Sequence, residues 1–183
     1  SSAASDVYKR QIYKDGIFFE YNDKYTSWNV VFPQIIKIFS FLAKKLKISH
    51  IKSIALDYID IFENIPRKQS PFKIYFAIEL TLPPEFSMTY DDFIVGIKLE
   101  TDESGHLSII RLRGLPPENE DFLKIQLESH YSISEEIKID DIEALKQNLN
   151  KAHENLINNF KLILTNRTKI KIGMENDTNS FNG

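Results

Sequence analysis

Between Asp141 and Leu164, apolar residues recur at Ile142, Leu145, Leu149, Ala152, Leu156, Phe160 and Ile163. Steps of three and four place them along one face of a helix, with Lys, Gln, Asn and Glu on the other. A one-sided helix needs a surface to lie on. Most of the remaining chain reads as β, so that surface is expected to be an antiparallel sheet.

The order of segments supports this. Asp15-Gly16 inside Ile12–Tyr21 signals a hairpin, because glycine accepts the positive φ that tight turns need. Ser27–Lys47 reads as a first helix with Ser27 at its N-cap. Its apolar residues occupy most of the circumference, which predicts burial or a partner. Pro33 inside it marks either the start of the main helix or a kink. Strands are expected over Ile51–Phe62, Phe72–Leu82, Asp92–Glu100, His106–Arg113 and Phe122–Ile133. The short Thr101–Gly105 turn makes the third and fourth of these an antiparallel hairpin. Asp140 or Asp141 caps the last helix, and Lys169–Ile172 reads as a short strand. The expected class is α+β, an antiparallel sheet of about five to seven strands packed against two long helices in two layers. Helices gripped by a curved sheet often enclose a pocket.

The 183 residues suit a single domain with a real core, expected over residues 12–173, with a polar disordered tail at 174–183. Ser1–Gln11 resembles a translated sequencing-adapter fragment. It is set aside as non-native, which implies a truncated N-terminus. A formal net charge of −3 argues against a nucleic-acid surface, so no nucleic-acid partner is expected. The densest basic cluster, Lys44, Lys45 and Lys47, reads as a solvated helix end where cations complement the helix dipole. Cysteine is absent, which excludes disulfides, thiolate metal sites and a Cys nucleophile. No apolar run approaches the roughly 20 residues of a membrane helix, so no membrane partner is expected and the default location is cytoplasmic. Asn166-Arg-Thr168 and Asn176-Asp-Thr178 match the glycosylation acceptor pattern and, without a secretory signal, are read as coincidental.

Three segments together carry a resemblance. They are Tyr25-Thr-Ser-Trp28 ahead of an apolar helix, Ile54-Ala-Leu-Asp-Tyr-Ile-Asp60, and Ala152-His-Glu154 with Phe160 and Thr165. In order and spacing the chain after Gln11 resembles a sporadically distributed family of uncharacterised bacterial proteins. The family's strand carries a Leu-Arg-Tyr-Ile-Asn-Arg pattern, and its C-terminal helix carries an Ala-His-Glu step. Here the first Arg is Asp57, the Asn is Asp60 and the second Arg is Ile61, which inverts the charge of that strand. The resemblance implies an accessory role of the defence- or toxin-linked kind, and brings no established activity.

Candidate chemistry is sparse. His153, followed by Glu154, sits beside the apolar stripe of the last helix. It could act as a general base or pair with a carboxylate from the sheet. The plainer reading is a boundary histidine with one hydrogen bond. Asp57 and Asp60 have opposite strand parity and should face opposite sides, which weakens any paired-carboxylate or metal reading. One of them should point to the helix layer and seek Arg111, Arg113, a Lys or His153. Arg111 and Arg113 share a strand face and could grip an anion. Asp91-Asp92 reads as a cap. Trp28 is a helix-start anchor before it is a ligand platform. The histidines at 50, 106, 130 and 153 lack metal spacing, and no cofactor or metal is implied. There is no glycine-rich phosphate loop, Ser nucleophile elbow or zinc signature. The expectation is therefore a non-catalytic binding or interaction module with a protein partner or a second copy of itself. The alternative is a small-molecule binder or enzyme in which His153, Asp57 or Asp60, and Arg111 converge between sheet and helix.

Overall fold

A computed structural model describes residues 8–13, 16–21, 27–67, 71–78, 92–116 and 119–174. The chain divides into two compact units, Ser1–His50 and Ile51–Gly183. Its class is α+β, with antiparallel sheets of two and four strands and two long helices.

In the first unit, β1 (Tyr8–Tyr13) and β2 (Gly16–Tyr21) form the expected antiparallel hairpin, with Ile12 opposite Ile17 and Tyr13 opposite Gly16. Gly16 is thus the first residue of β2, and Lys14 and Asp15 lie outside the described residues. β1 starts at Tyr8, inside the segment set aside as adapter-derived. Helix α1 (Trp28–Leu46) runs continuously through Pro33, so the main helix does not begin there. Ser27 does hold the N-cap position. Its carbonyl accepts from the Val30 and Val31 amides, but its hydroxyl makes no cap bond. Lys44 and Lys45 lie in the last turn and are exposed, as a helix C-terminus favours. A two-residue strand, β3 (His50–Ile51), stands at the junction of the units.

The second unit holds β4 (Ile54–Pro66), α2 (Pro71–Ile74), β5 (Ile94–Leu99), β6 (His106–Leu115), β7 (Phe122–Ile133), β8 (Ile137–Lys138), α3 (Ile142–Ile163) and α4 (Asn166–Lys171). Four strands form an antiparallel sheet in the order β4-β7-β6-β5. β7 alternates without a break, odd residues buried and even ones half-buried, and from Lys124 to Ile133 it is flanked by both β4 and β6. α3 lies across β4 and β7. Its stripe of Leu145, Leu149, Ala152, Leu156 and Ile163 is buried, and the Asp141 carboxylate caps it by accepting the Ala144 amide at 3.0 Å. The core on this side includes Leu112, Ile125, Leu127 and Leu156, all at 0% exposure. Each such side chain contributes roughly 1.5–3 kcal/mol by leaving water.

Two expected strands are helical over part of their described residues. Within Phe72–Leu82, residues Pro71–Ile74 form α2 and Phe76 makes a single bridge to Leu164, while 79–91 lie outside the described residues. Phe72, Tyr75 and Phe76 are the buried ones, a spacing of three and four that strand alternation does not explain. Lys169–Ile172 falls in and just after α4, which starts where the Thr165 hydroxyl accepts the Thr168 amide. The same threonines stitch α4 to the α2 strap. Thr165 Oγ1 donates to the Ile74 carbonyl at 2.7 Å and Thr168 Oγ1 to the Tyr75 carbonyl at 2.8 Å.

Candidate functional site

Strand parity distributes the polar residues of the second unit over two faces of one sheet. On the helix-facing side, Tyr58 of β4 and His153 of α3 share a hydrogen bond of 2.6 Å between hydroxyl and Nδ1, with the rings edge to face. Ser129 of β7 lies directly opposite Tyr58 in the ladder. It is 1% exposed, and its Oγ has no hydrogen-bond partner among the described residues. Asp60 lies two residues beyond Tyr58 on the same side. No ion pair or hydrogen bond reaches it among the described residues, and burial raises its pKa above the usual carboxylate value. Burial pushes the His153 pKa down, and the neighbouring Glu154 carboxylate pulls weakly the other way. Further along, Asn159 of α3 donates to the buried Ser108 hydroxyl at 2.8 Å. His106 Nδ1 and the Tyr131 hydroxyl are 2.8 Å apart, and His106 Nε2 faces Glu103, which also pairs with Lys151. The Lys151 bond is the main cause of a lowered Glu103 pKa, and burial raises that of Tyr131.

On the outer face the charges pair across strands. His130 Nδ1 donates to Asp57 at 2.7 Å, Arg111 donates to Glu128 at 2.6 Å, and Lys124 meets Glu63 at 2.6 Å. Arg113 and Lys98 are exposed on the same face. On the two edge strands stand Ile59 and Ile61 of β4 and Ile94 of β5, exposed by 61%, 44% and 70%. Ladder pairing aligns the face in rows: Asp57-His130-Ile109-Lys98, then Ile59-Glu128-Arg111-Gly96, then Ile61-Gln126-Arg113-Ile94.

The expected site residues therefore do not converge. His153 and Asp60 belong to the helix side, Asp57, Arg111 and Arg113 to the outer face, and Glu154 is exposed on α3. The reason is the one parity gives: residues three apart on a strand point opposite ways. Asp60 does face the helix layer, but neither Arg111, Arg113 nor His153 pairs with it. Trp28 opens α1 and packs on Phe32, ring centroids 5.2 Å apart, as an anchor of its own helix. The sequence reading passed over Tyr58, Ser129, Ser108 and Asn159. The available signal was parity: Tyr58 shares that of Asp60, Ser129 sits among Leu127, Tyr131 and Ile133 on its strand face, and Ser108 shares the parity of Ile110 and Leu112. Among the described residues no cluster of three or more His, Asp or Glu could hold a metal, and no helix is long and apolar enough to cross a membrane.

No family model matches this chain, and no curated protein or solved structure matches it.

Proposed function

We propose that this chain is a non-catalytic protein-interaction module that meets its partner on the outer face of the four-stranded sheet. The observation that carries this reading is the exposure of Ile59, Ile61 and Ile94 on one face of the sheet. Single exposed apolar residues are ordinary on protein surfaces, whereas three on one sheet face, on the two edge strands either side of a charged centre, point to an interaction site. The ion pairs between them suit that role, since charges satisfied within the face are less costly to cover. The resemblance to a sporadically distributed bacterial family supports an accessory setting of the defence- or toxin-linked kind.

Site-specific photo-crosslinking in the native cells tests it. A photoreactive residue at Ile59 or Ile94 should trap one and the same polypeptide, while one at the exposed Ile170 of α4 should not. Absence of any specific adduct from both sheet positions would contradict the reading.

A second reading, a small-molecule site under α3, draws on the unpartnered Ser129 hydroxyl and the half-buried Asp60 beside the Tyr58–His153 pair. It predicts a ligand that raises the melting temperature of the natural protein and not of His153→Ala. A metabolite screen with no such differential shift would remove it.

A further inference from the structure

We propose that the partner on the outer sheet face is a second copy of this chain, packed face to face about a twofold axis parallel to the strands. The inference rests on the interaction reading above and names its partner. The charge on the face is divided by strand. The carboxylates Asp57, Glu63 and Glu128 lie on β4 and β7, with Lys124 and His130 beside them, whereas Arg111, Arg113 and Lys98 lie on β6 and β5, which carry no acidic residue. A twofold axis along the strands lays β4 and β7 of one protomer over β5 and β6 of the other, while keeping each residue in its row. The half with net negative charge then meets the basic half.

The rows pair specifically. Asp57 faces Lys98 of the other copy, Glu128 faces Arg111, and Ile61 faces Ile94. Ile59 faces Gly96. That glycine is otherwise unexplained. Its φ is not in the left-handed region, and a Cβ built on it meets nothing within 4 Å, so neither backbone conformation nor crowding within the protomer demands it. Glycine inside a strand marks a place where something approaches closely, and the Ile59 side chain of the second copy fills that role. Aligned sheets cross at about −30°, so the central rows meet best. Four strands at about 4.8 Å spacing, over six paired residues, give a footprint of roughly 20 by 20 Å. At about 400 Å² a side, that lies below the range of stable pairs and in that of weak, transient ones, which makes the expected dimer one of micromolar affinity or weaker.

Sedimentation equilibrium of the whole chain tests this. The natural protein should dimerise, and Gly96→Leu should be monomeric with an unchanged melting temperature, because the new side chain has room in the protomer and none in the dimer. Lys98→Asp and Asp57→Lys should each weaken the dimer by about tenfold or more through like-charge contacts, and the double variant should recover most of the loss. A monomeric natural protein, an unaffected Gly96→Leu dimer, or a double variant no better than either single one would overturn the proposal. Crosslinking at Ile59 separates the two failures. A different trapped polypeptide sinks the second copy and leaves the interaction reading standing, whereas no trapped polypeptide at Ile59 or Ile94 sinks both.

Discussion

At the scale of residues, two half-buried titratable groups give the second unit opposed pH dependences. Asp60 has a folded pKa above 3.8, so the folded state holds its proton more tightly than the unfolded chain does. The stability it confers is complete below that value and is lost as pH rises through the folded pKa. Asp60→Asn should therefore be more stable than the natural protein at neutral pH, with the gap closing in acid. Urea melts across that range check it, and a variant less stable at pH 7 would mean that the carboxylate has a partner. His153 has the opposite sign. Its folded pKa lies below 6.5, so its contribution is present above that value and is lost as pH falls through the folded pKa. Ser129→Ala adds a sharper test. With its Oγ unpartnered, the substitution should be neutral or stabilise by about 1 kcal/mol, and a clear loss would reveal a bound partner.

Elements were legible where one periodicity ran unbroken. β7 alternates from Phe122 to Ile133 and matches expectation residue for residue, and α3 does nearly so. Failures came where the pattern was short. Phe72, Ile74 and Phe76 satisfy a period of two, yet Phe72 and Ile74 lie in a turn of helix and Phe76 just after it, and the winning contacts, from Thr165 and Thr168, come from 91 and 93 residues away. The Tyr58–His153 pair was hidden for the same reason, since register and helix placement bring together residues whose local sequences carry no shared mark. Because α3 closes the sheet mainly through one stripe, Leu156→Ala should cost about 2–5 kcal/mol, read from denaturant midpoints. Losing the Asp141 cap should cost about 1 kcal/mol. Comparable losses for both would mean that the stripe contributes no more than the cap.

For the whole molecule, the four-stranded sheet separates two jobs by face. Its helix side carries packing, with half-buried Tyr58, Asp60 and His153 and buried Ser108 and Ser129 beside the leucines and isoleucines of the core. Its outer side carries paired charges and exposed isoleucines, and this is where binding is proposed. Sequence reading placed Asp57 and Asp60 on opposite faces and then grouped Arg111 with either one, because strand parity is visible in a sequence and the pairing of strands is not. The most direct test of this division compares two variants by sedimentation equilibrium, with melting temperature alongside. Ile59→Asp should lose association and keep its melting temperature, while His153→Ala should keep association and melt lower, having lost a hydrogen bond of about 1 kcal/mol. The reverse pattern, with association abolished by His153→Ala and untouched by Ile59→Asp, would place the working face under α3 and contradict the account.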